Sequence, residues 1–258
     1  MITSLSNGQI KNIIQLNQKT KARRELGLFV AEGRKMFLEA PESQVSKVYV
    51  AEALAGDTDL MEQVSRFPHE IVSDPVFRQM SDTQTPQGIL TVLKTPSYTL
   101  ADIFRGEHPL VMILEDLQDP GNAGTIFRTG EGAGVSGILL TKKSVDVTNP
   151  KVIRSTMGSI YRMPYVYVEN VASLKEELKS RGIRSYAAHL DGKHTYDGED
   201  YRGGSAFLIG NEGNGLSQEA AELADCLIRI PMCGQVESLN AAMAAGILMY
   251  EASRQRRQ

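Results

Sequence analysis

The sequence predicts an α/β fold in which a parallel sheet carries helices on both faces and follows a smaller α/β unit. From residue 110 onward, short strand patterns alternate with helical patterns, which is typical of a parallel sheet built from β-α-β units. The run from Leu110 to Leu114 is apolar at every position, as expected for a strand that is buried on both faces. With 258 residues, the chain has room for one large domain or two small ones.

The N-terminal part predicts a helical lead-in followed by a compact α/β unit. Residues 1–25 are polar and basic, whereas residues 26–96 mix β-branched strand patterns with helical ones. In chain order the predicted elements are strand 29–31, helix 34–40, strand 45–50, helix 60–66, strand 70–72 and strand 89–93. Residues 97–108 carry turn residues without periodicity and predict a linker, which places the two domains at 1–96 and 109–258.

After the linker, strands and helices alternate. The predicted strands are 110–114, 137–140, 165–168, 184–188, 206–209 and 227–230. The predicted helices are 125–133, 151–157, 174–179, 218–224 and 239–250. The last helix is apolar on all sides over residues 241–248, which predicts a buried position.

The composition is that of a soluble globular protein, with 41% hydrophobic and 23% charged residues. The two cysteines, Cys226 and Cys233, fit no common zinc spacing and are too few for a disulfide framework. We therefore expect reduced thiols, no metal and a cytoplasmic location. The sequence shows neither a signal-peptide pattern nor an apolar stretch of the ~18–20 residues that a membrane helix needs.

Positive charge is concentrated at the two ends of the chain, although the net charge is −3. Residues 1–35 contain seven Lys or Arg residues against two Glu residues, and three arginines lie within the last five residues. A basic surface on a mildly acidic protein suits contact with phosphate groups. A solvated helix face explains the same pattern equally well.

Three segments follow strands of the predicted parallel sheet, where ligands of such sheets bind. The first, Asp119 to Arg128, contains Pro120-Gly121 for a turn and Asn122 as a predicted helix cap. Arg128 lies roughly two helical turns after Asn122, so we predict that both side chains face one side. A plain capped helix with a surface arginine is the alternative.

Glycine is enriched in the helix after the first segment and in the second segment. Gly130 and Gly132 each cost the helix up to ~1 kcal/mol relative to alanine, which indicates close packing or backbone contact. The second segment, Gly210 to Gly215, directly follows a predicted strand, and such loops offer backbone N–H groups to a ligand. Glu212 in this loop suits a cationic ligand or an arginine partner. A tight turn with Ser217 as the helix cap is the alternative.

The third segment runs from Ile230 to Asn240 into the last predicted helix. Pro231 ends the preceding strand, and Ser238 is the predicted N-cap of the helix. The helix is rich in small residues, which permit close approach of another helix. A core or dimer-interface helix is the alternative, and it is compatible with ligand binding by the loop.

In this order and at this spacing, the three segments resemble the SpoU (TrmH-like) branch of the SPOUT RNA methyltransferase superfamily. The resemblance covers Leu110 to Glu251 and includes the intervening segment Arg154 to Pro164. Residues 26–96, with Phe29-Val30-Ala31-Glu32-Gly33, resemble the L30e-like substrate-binding domain that many members carry. The resemblance also implies a C-terminal deep trefoil knot, which the rules of chain connection would not predict.

The resemblance implies an S-adenosylmethionine-dependent methyltransferase that modifies a ribose 2′-hydroxyl of RNA and forms a homodimer. Gly210, Ile230 and Leu239 are then expected to contact the cofactor, largely through backbone atoms. The L30e-like domain favours ribosomal RNA, and we expect 23S rRNA. A tRNA 2′-O-methyltransferase and a non-catalytic RNA-binding protein of ribosome assembly are the alternatives. A nicotinamide-dependent enzyme is disfavoured because the glycines form no dinucleotide fingerprint.

Asn122, Arg128, Glu212, Ser238 and Asn240 match the functional positions of the family. The mechanism proposed for the family uses the arginine as a general base, but a guanidinium group stays protonated in proteins. We therefore predict that Arg128 stabilises the developing alkoxide electrostatically. Glu212 is predicted to orient Arg128, and Asn122 to position the ribose or Arg128.

Overall fold

In the computed structural model, residues 1–257 are described and form two compact units. The N-terminal unit comprises Met1–Ser97 together with Asp146–Tyr161, and the C-terminal unit comprises Tyr98–Val145 together with residues 162–257. The segment Asp146–Tyr161 thus belongs to the N-terminal unit, although it lies well beyond the predicted linker in sequence. Every helix of these residues is too short or too polar to cross a membrane.

The N-terminal unit is built on a mixed sheet. In chain order, residues 1–97 form α1 Gly8–Gln18, α2 Thr20–Leu26, β1 Leu28–Glu32, α3 Arg34–Glu39, β2 Val45–Ala51, α4 Thr58–Val64, β3 His69–Val72, α5 Asp74–Met80 and β4 Ile89–Lys94. The strand order is β1-β4-β2-β3, with β2 and β3 parallel and the other pairs antiparallel. The predicted strands are confirmed. The lead-in forms two helices, α1 and α2, because the backbone of Lys19 is extended between them. Helix α5 was not predicted.

The core of the N-terminal unit includes one face of α1. Ile10, Ile13 and Leu16 recur at helical spacing and are buried. Arg23 in α2 is only 2% exposed, and its Nη2 atom donates to Oδ2 of Asp146 at 2.7 Å. One of the seven N-terminal cations is therefore part of a buried ion pair and not of a basic surface.

The C-terminal unit contains a seven-stranded parallel sheet. In chain order, residues 98–257 form α6 Leu100–Ile103, β5 Leu110–Leu114, α7 Pro120–Ala133, β6 Gly137–Thr141, α8 Pro150–Thr156, β7 Tyr165–Val168, α9 Lys175–Ser180, β8 Arg184–Ala188, β9 His194–Thr195, β10 Ser205–Ile209, α10 Gln218–Leu223, β11 Cys226–Arg229 and α11 Ala241–Arg256, of which α8 belongs to the N-terminal unit. The strand order is β7-β6-β5-β10-β8-β11-β9, and every neighbouring pair is parallel. The predicted parallel sheet is confirmed, the short strand β9 is an addition, and the knot stays a prediction.

Both faces of this sheet are covered. Every residue of β5 is at most 1% exposed, although successive side chains of a strand point to opposite faces. Val111 and Ile113 share one core cluster with Leu178 of α9. Helices α7 and α11 pack against each other, and α11 also contacts β10.

The predicted linker contains a short helix. Thr99 and Asp102 form a capping box at the start of α6. Ile103 and Phe104, at its end, are buried in the core of the C-terminal unit. Four residues make about one helical turn, which is too short to produce a periodic pattern in the sequence.

Helix α11 departs from the prediction of a helix buried on all faces. Met243 and Tyr250 are 60% and 48% exposed, whereas Ala245 and Leu248 are fully buried. Met243 and Tyr250 are seven residues apart, so they lie on the same face. The helix therefore buries one face in its own chain and leaves an apolar face uncovered.

Candidate active site

A cavity of about 670 Å³ lies at the carboxyl ends of β10, β8 and β11, which are neighbours in the sheet. Five of the predicted site residues line it: Gly210, Glu212, Ile230, Ser238 and Leu239. Its volume falls in the range of about 300–1,000 Å³ that is typical of small-molecule sites. The second and third sequence segments therefore meet at one ligand-sized cavity.

The glycine loop, residues 210–215, is closed on itself. The backbone N–H groups of Asn211 and Gly215 each donate to the carbonyl of the other residue, at 3.0 and 2.9 Å. A Cβ atom at Gly210 would lie 2.1 Å from the carbonyl carbon of Gly215. Because no side chain fits there, Gly210 brings backbone atoms directly to the cavity wall. Ser217 caps α10, as the alternative interpretation of this segment predicts.

Glu212 joins the glycine loop to the start of α7. Its Oε1 atom accepts hydrogen bonds from the backbone N–H of Asp119 at 2.9 Å and from Nδ2 of Asn122 at 3.0 Å. Its Oε2 atom accepts from the backbone N–H of Gln118 at 3.1 Å. Burial raises the pKa of the Glu212 carboxyl, but these hydrogen bonds outweigh burial and hold the pKa below its usual value. The carboxylate is therefore ionised and fixed in direction.

Asn122 connects Glu212 to the start of α11. Its side chain is buried, and its Oδ1 atom accepts a hydrogen bond from Nδ2 of Asn240 at 2.9 Å. The Oδ1 atom of Asn240 accepts from the backbone N–H groups of Ala242 and Met243. Glu212, Asn122 and Asn240 thus form one chain of hydrogen bonds, and each comes from a different sequence segment.

Two predicted helix caps are wrong. Asn240 caps α11 in place of Ser238. Asp119 caps α7, and its Oδ1 atom accepts from the backbone N–H of Asn122 at 2.7 Å. The helix begins at Pro120 because proline is suited to the first helical position. Asn122 is therefore inside the first turn, where its amide is free to bond to Glu212 and Asn240.

Arg128 lies apart from this hydrogen-bonded chain. Its side chain is exposed on α7 and does not line the cavity. Six residues at 3.6 per turn place Arg128 about 120° around the helix from Asn122, so the prediction that both face one side is wrong. Glu212 bonds to the start of α7 and not to Arg128, so the predicted orientation of Arg128 by Glu212 is also wrong within this chain.

The cavity residues at the end of β8 lie outside the three predicted segments: Ala188, which ends the strand, and His189 and Leu190, which follow it. Leu190 is 65% exposed. These residues carry no glycine or turn motif. They reach the cavity because β8 lies between β10 and β11, and this order is known only from the fold.

One group of possible metal ligands occurs within residues 1–257. Side-chain ligand atoms of His194, Glu199 and Cys226 lie within 4.8 Å of one another. The Glu199 carboxylate already bonds to His194 at 2.8 Å and to Arg184 at 3.2 Å. Burial is the main factor that raises the pKa of the Cys226 thiol, which disfavours the thiolate that a metal needs. These partners make the group a neutralised side-chain cluster.

Fold and cavity define an α/β protein with a ligand-sized site at the carboxyl ends of a parallel sheet, where the second and third sequence segments meet. Residues 109–250 match the model of the SpoU rRNA Methylase family. Residues 7–91 match the MRM3-like substrate binding domain. The first match covers more than half of the chain, so this protein belongs to the SpoU rRNA methylase family.

Relatives resemble the chain over almost its whole length. It is 34% identical to an uncharacterized tRNA/rRNA methyltransferase of Synechocystis, with 98% of this chain and 93% of the relative covered. It is 32% identical to the 23S rRNA guanosine 2′-O-methyltransferase RlmP of Bacillus subtilis, with 96% of this chain and 97% of RlmP covered.

Solved structures show the same fold. The AdoMet-bound rRNA methyltransferase of Sinorhizobium meliloti is 31% identical, with a TM-score of 0.87 over 98% of this chain and 97% of that one. The SpoU methyltransferase AviRb of Streptomyces viridochromogenes, in complex with AdoMet, is 26% identical to this chain. Its TM-score is 0.90, with 98% of this chain and 99% of that one covered.

Proposed function

We propose that this protein transfers a methyl group from S-adenosylmethionine to a ribose 2′-hydroxyl of 23S rRNA. The observation that carries the proposal is the cavity whose wall is held by the chain of hydrogen bonds Glu212–Asn122–Asn240. Family membership and two AdoMet-bound structural neighbours support the choice of cofactor. An rRNA substrate is in keeping with the relative RlmP and with a cytoplasmic location.

The cavity fits S-adenosylmethionine in size and in charge. Its lining residues include Glu212, Glu237 and Arg229, which offers carboxylates to the cationic groups of the ligand and a guanidinium to its carboxylate. When bound, S-adenosylmethionine supplies a methyl group on a positively charged sulfur. Gly210, Ile230 and Leu239 line the cavity and would contact it through backbone atoms. At Gly210 the absence of a side chain leaves the loop backbone uncovered at the wall. Ser238 is exposed and lines the same cavity, and its hydroxyl would be a further contact for the ligand.

Arg128 is the residue that acts on the ribose oxygen. The ribose oxygen would take the methyl group that S-adenosylmethionine supplies and would give its own proton to water. The guanidinium stays protonated and stabilises the negative charge that develops on the oxygen. Glu212, Asn122 and Asn240 are positioning residues that hold the cavity wall.

A second copy of the chain covers the apolar face of α11. Met243 and Tyr250 are large, exposed and on one face, and such patches commonly mark interfaces. The neighbouring helix α7 carries Arg128, which is exposed and outside the cavity of its own chain. A homodimer through this face would bury the apolar side chains and bring Arg128 to the cavity of the second copy.

Light scattering tests the dimer. We expect the wild-type protein to have the mass of two chains and the double variant Met243→Glu, Tyr250→Glu the mass of one, because buried like charges oppose association. Leu38→Glu is the matched control, since Leu38 is 56% exposed in the N-terminal unit. A wild-type protein with the mass of one chain at micromolar concentration would exclude the homodimer.

Methyl transfer from labelled S-adenosylmethionine to deproteinised 23S rRNA, 16S rRNA and tRNA tests the activity. We expect label in 23S rRNA, at one site that resists alkaline cleavage, and at least a ~100-fold loss of rate in Arg128→Ala. Arg105→Ala is the matched control, because Arg105 is also exposed and lies outside the cavity. Label in tRNA alone would favour the tRNA alternative. Cofactor binding without label in any RNA would favour a non-catalytic assembly protein.

A further inference from the structure

The side chain of Asn211 makes three hydrogen bonds inside and outside the glycine loop. Its Oδ1 atom accepts from the backbone N–H groups of Gly213 at 2.8 Å and Asn214 at 3.2 Å. Its Nδ2 atom donates to the carbonyl of Asp116 at 2.8 Å. Asn211 thus stabilises the turn of its own loop and ties that loop to the end of β5.

Asp116 is a fixed attachment point. Its backbone N–H donates to Oγ1 of Thr141 at 2.8 Å, and the same hydroxyl donates to Oδ1 of Asp116 at 2.7 Å. This holds Asp116 at a φ of +51°, a left-handed conformation that is uncommon for residues other than glycine. Thr141 is itself buried at the end of β6. The orientation of the Asp116 carbonyl is therefore set by the contact with Thr141 in the sheet, and it does not depend on the glycine loop.

Asn211 and Glu212 connect the glycine loop at two points to the segment between β5 and α7, residues 115–119. Asn211 bonds to Asp116, and Glu212 bonds to the backbone two and three residues further along. A loop with three glycines in six residues has many conformations available unless such bonds restrict it. The two side chains together restrict the conformation of the cavity wall before a ligand arrives.

We propose that Asn211 is a positioning residue that preorganises the glycine loop for S-adenosylmethionine. The inference rests on the proposed function, because it assumes that the cavity takes this cofactor. Preorganisation lowers the ordering cost of binding, so its loss weakens the affinity for the cofactor. The chemical step depends on Arg128 and on the ribose, so it is affected less.

The test compares Asn211→Ala and Asn211→Asp with the wild-type protein. Asn211→Ala removes all three hydrogen bonds. Asn211→Asp keeps an acceptor for Gly213 and Asn214 but removes the donor to Asp116. For Asn211→Ala we expect the Kd for S-adenosylhomocysteine and the KM for S-adenosylmethionine to rise roughly tenfold, with kcat changed less than about threefold. For Asn211→Asp we expect a similar rise, because a carboxylate next to the Asp116 carbonyl is repelled.

Amide hydrogen exchange gives a readout that does not depend on activity. In the ligand-free protein, the amides of Gly213 and Asn214 are expected to exchange faster in Asn211→Ala than in wild type, and to keep more protection in Asn211→Asp. Gln218→Ala is the control for an exposed amide side chain in the neighbouring helix α10. It is expected to match wild type in every measurement, because the Gln218 amide donates to Glu222 in the same helix.

Each outcome decides the proposal. Wild-type Kd and KM in Asn211→Ala would overturn it, as would a loss of kcat without a change in KM. An unfolded Asn211→Ala protein would also overturn it, because Asn211 would then serve the fold and not the loop. A wild-type protein could bind no S-adenosylhomocysteine and still protect its Gly213 and Asn214 amides from exchange. That result would contradict the proposed function but would leave the geometry of the loop intact.

Discussion

The C-terminal unit has two glycine-rich regions that differ in how tightly each glycine is enclosed. In α7, a Cβ atom at Gly130 would lie 3.4 Å from Cβ of Val135 and 3.5 Å from Sδ of Met249, which are ordinary contact distances. In the loop, a Cβ atom at Gly210 would lie 2.1 Å from the backbone of Gly215. The helix has room for a methyl group at Gly130, and the loop has none at Gly210.

This difference shows that glycine enrichment has two physical meanings in one protein. In α7 the glycines let the helix pack closely against α11 without requiring the absence of a side chain. In the loop, Gly210 is necessary because two backbone segments lie in van der Waals contact at the cavity wall. Only the second kind of glycine lines the cavity.

Gly210→Ala has the largest expected effect, because it breaks the closed loop. The added methyl group cannot be accommodated without opening the turn, so we expect the Kd for S-adenosylhomocysteine to rise at least ~100-fold, equivalent to about 3 kcal/mol. Isothermal titration calorimetry measures this. Gly203→Ala is the control, since nothing lies within 4 Å of a Cβ atom there. Binding of Gly210→Ala within a few-fold of wild type would show that the loop opens at little cost.

Glu212→Gln has an intermediate effect and tests whether the loop needs the negative charge of Glu212. The lowered pKa means that the ionised carboxylate stabilises the folded state above the usual glutamate pKa. This contribution is lost as the pH falls through the lowered folded-state pKa. The side chain is partly solvated, so we expect the variant to lose only about 1 kcal/mol of unfolding free energy at pH 7.

Urea unfolding at several pH values measures the Glu212 contribution. The difference between wild type and Glu212→Gln is expected to be largest near neutrality and to shrink below about pH 4.3, where free glutamate protonates. Glu219→Gln is the matched control, because Glu219 is an exposed residue of α10. A difference that is constant down to pH 3 would mean that the charge does not matter.

Gly130→Ala has the smallest expected effect and the opposite sign. Alanine favours the helix, and the methyl group fits, so we expect the free energy of unfolding to rise by about 0.5–1 kcal/mol. Chemical unfolding of the purified protein measures it. Gly132→Ala sharpens the comparison, because its methyl group would lie only 3.3 Å from Oη of Tyr250. We therefore expect a smaller rise in the free energy of unfolding than for Gly130→Ala. Destabilisation by Gly130→Ala would show that α7 and α11 pack as tightly as the loop.

The local pattern of the sequence predicts most of the fold. The parallel sheet, most of its helices and the strands of the N-terminal unit follow from hydrophobic periodicity and from glycine and proline positions, which act over a few residues. Short elements such as α6 and β9 escape prediction because they contain too few residues to show a period. The caps of α7 and α11 differ from prediction by two or three residues, because several polar residues compete for each helix start.

By itself, the sequence determined the family, the α/β class and the segments that carry the site, because these reside in the order and spacing of motifs. Only the tertiary structure decided which strand ends are neighbours, and so placed residues 188–190 in the cavity. It also decided that Glu212 bonds to the start of α7 and that Arg128 faces outward. Such contacts join residues about 90 positions apart, and their geometry depends on strand order and helix rotation, which no local pattern encodes.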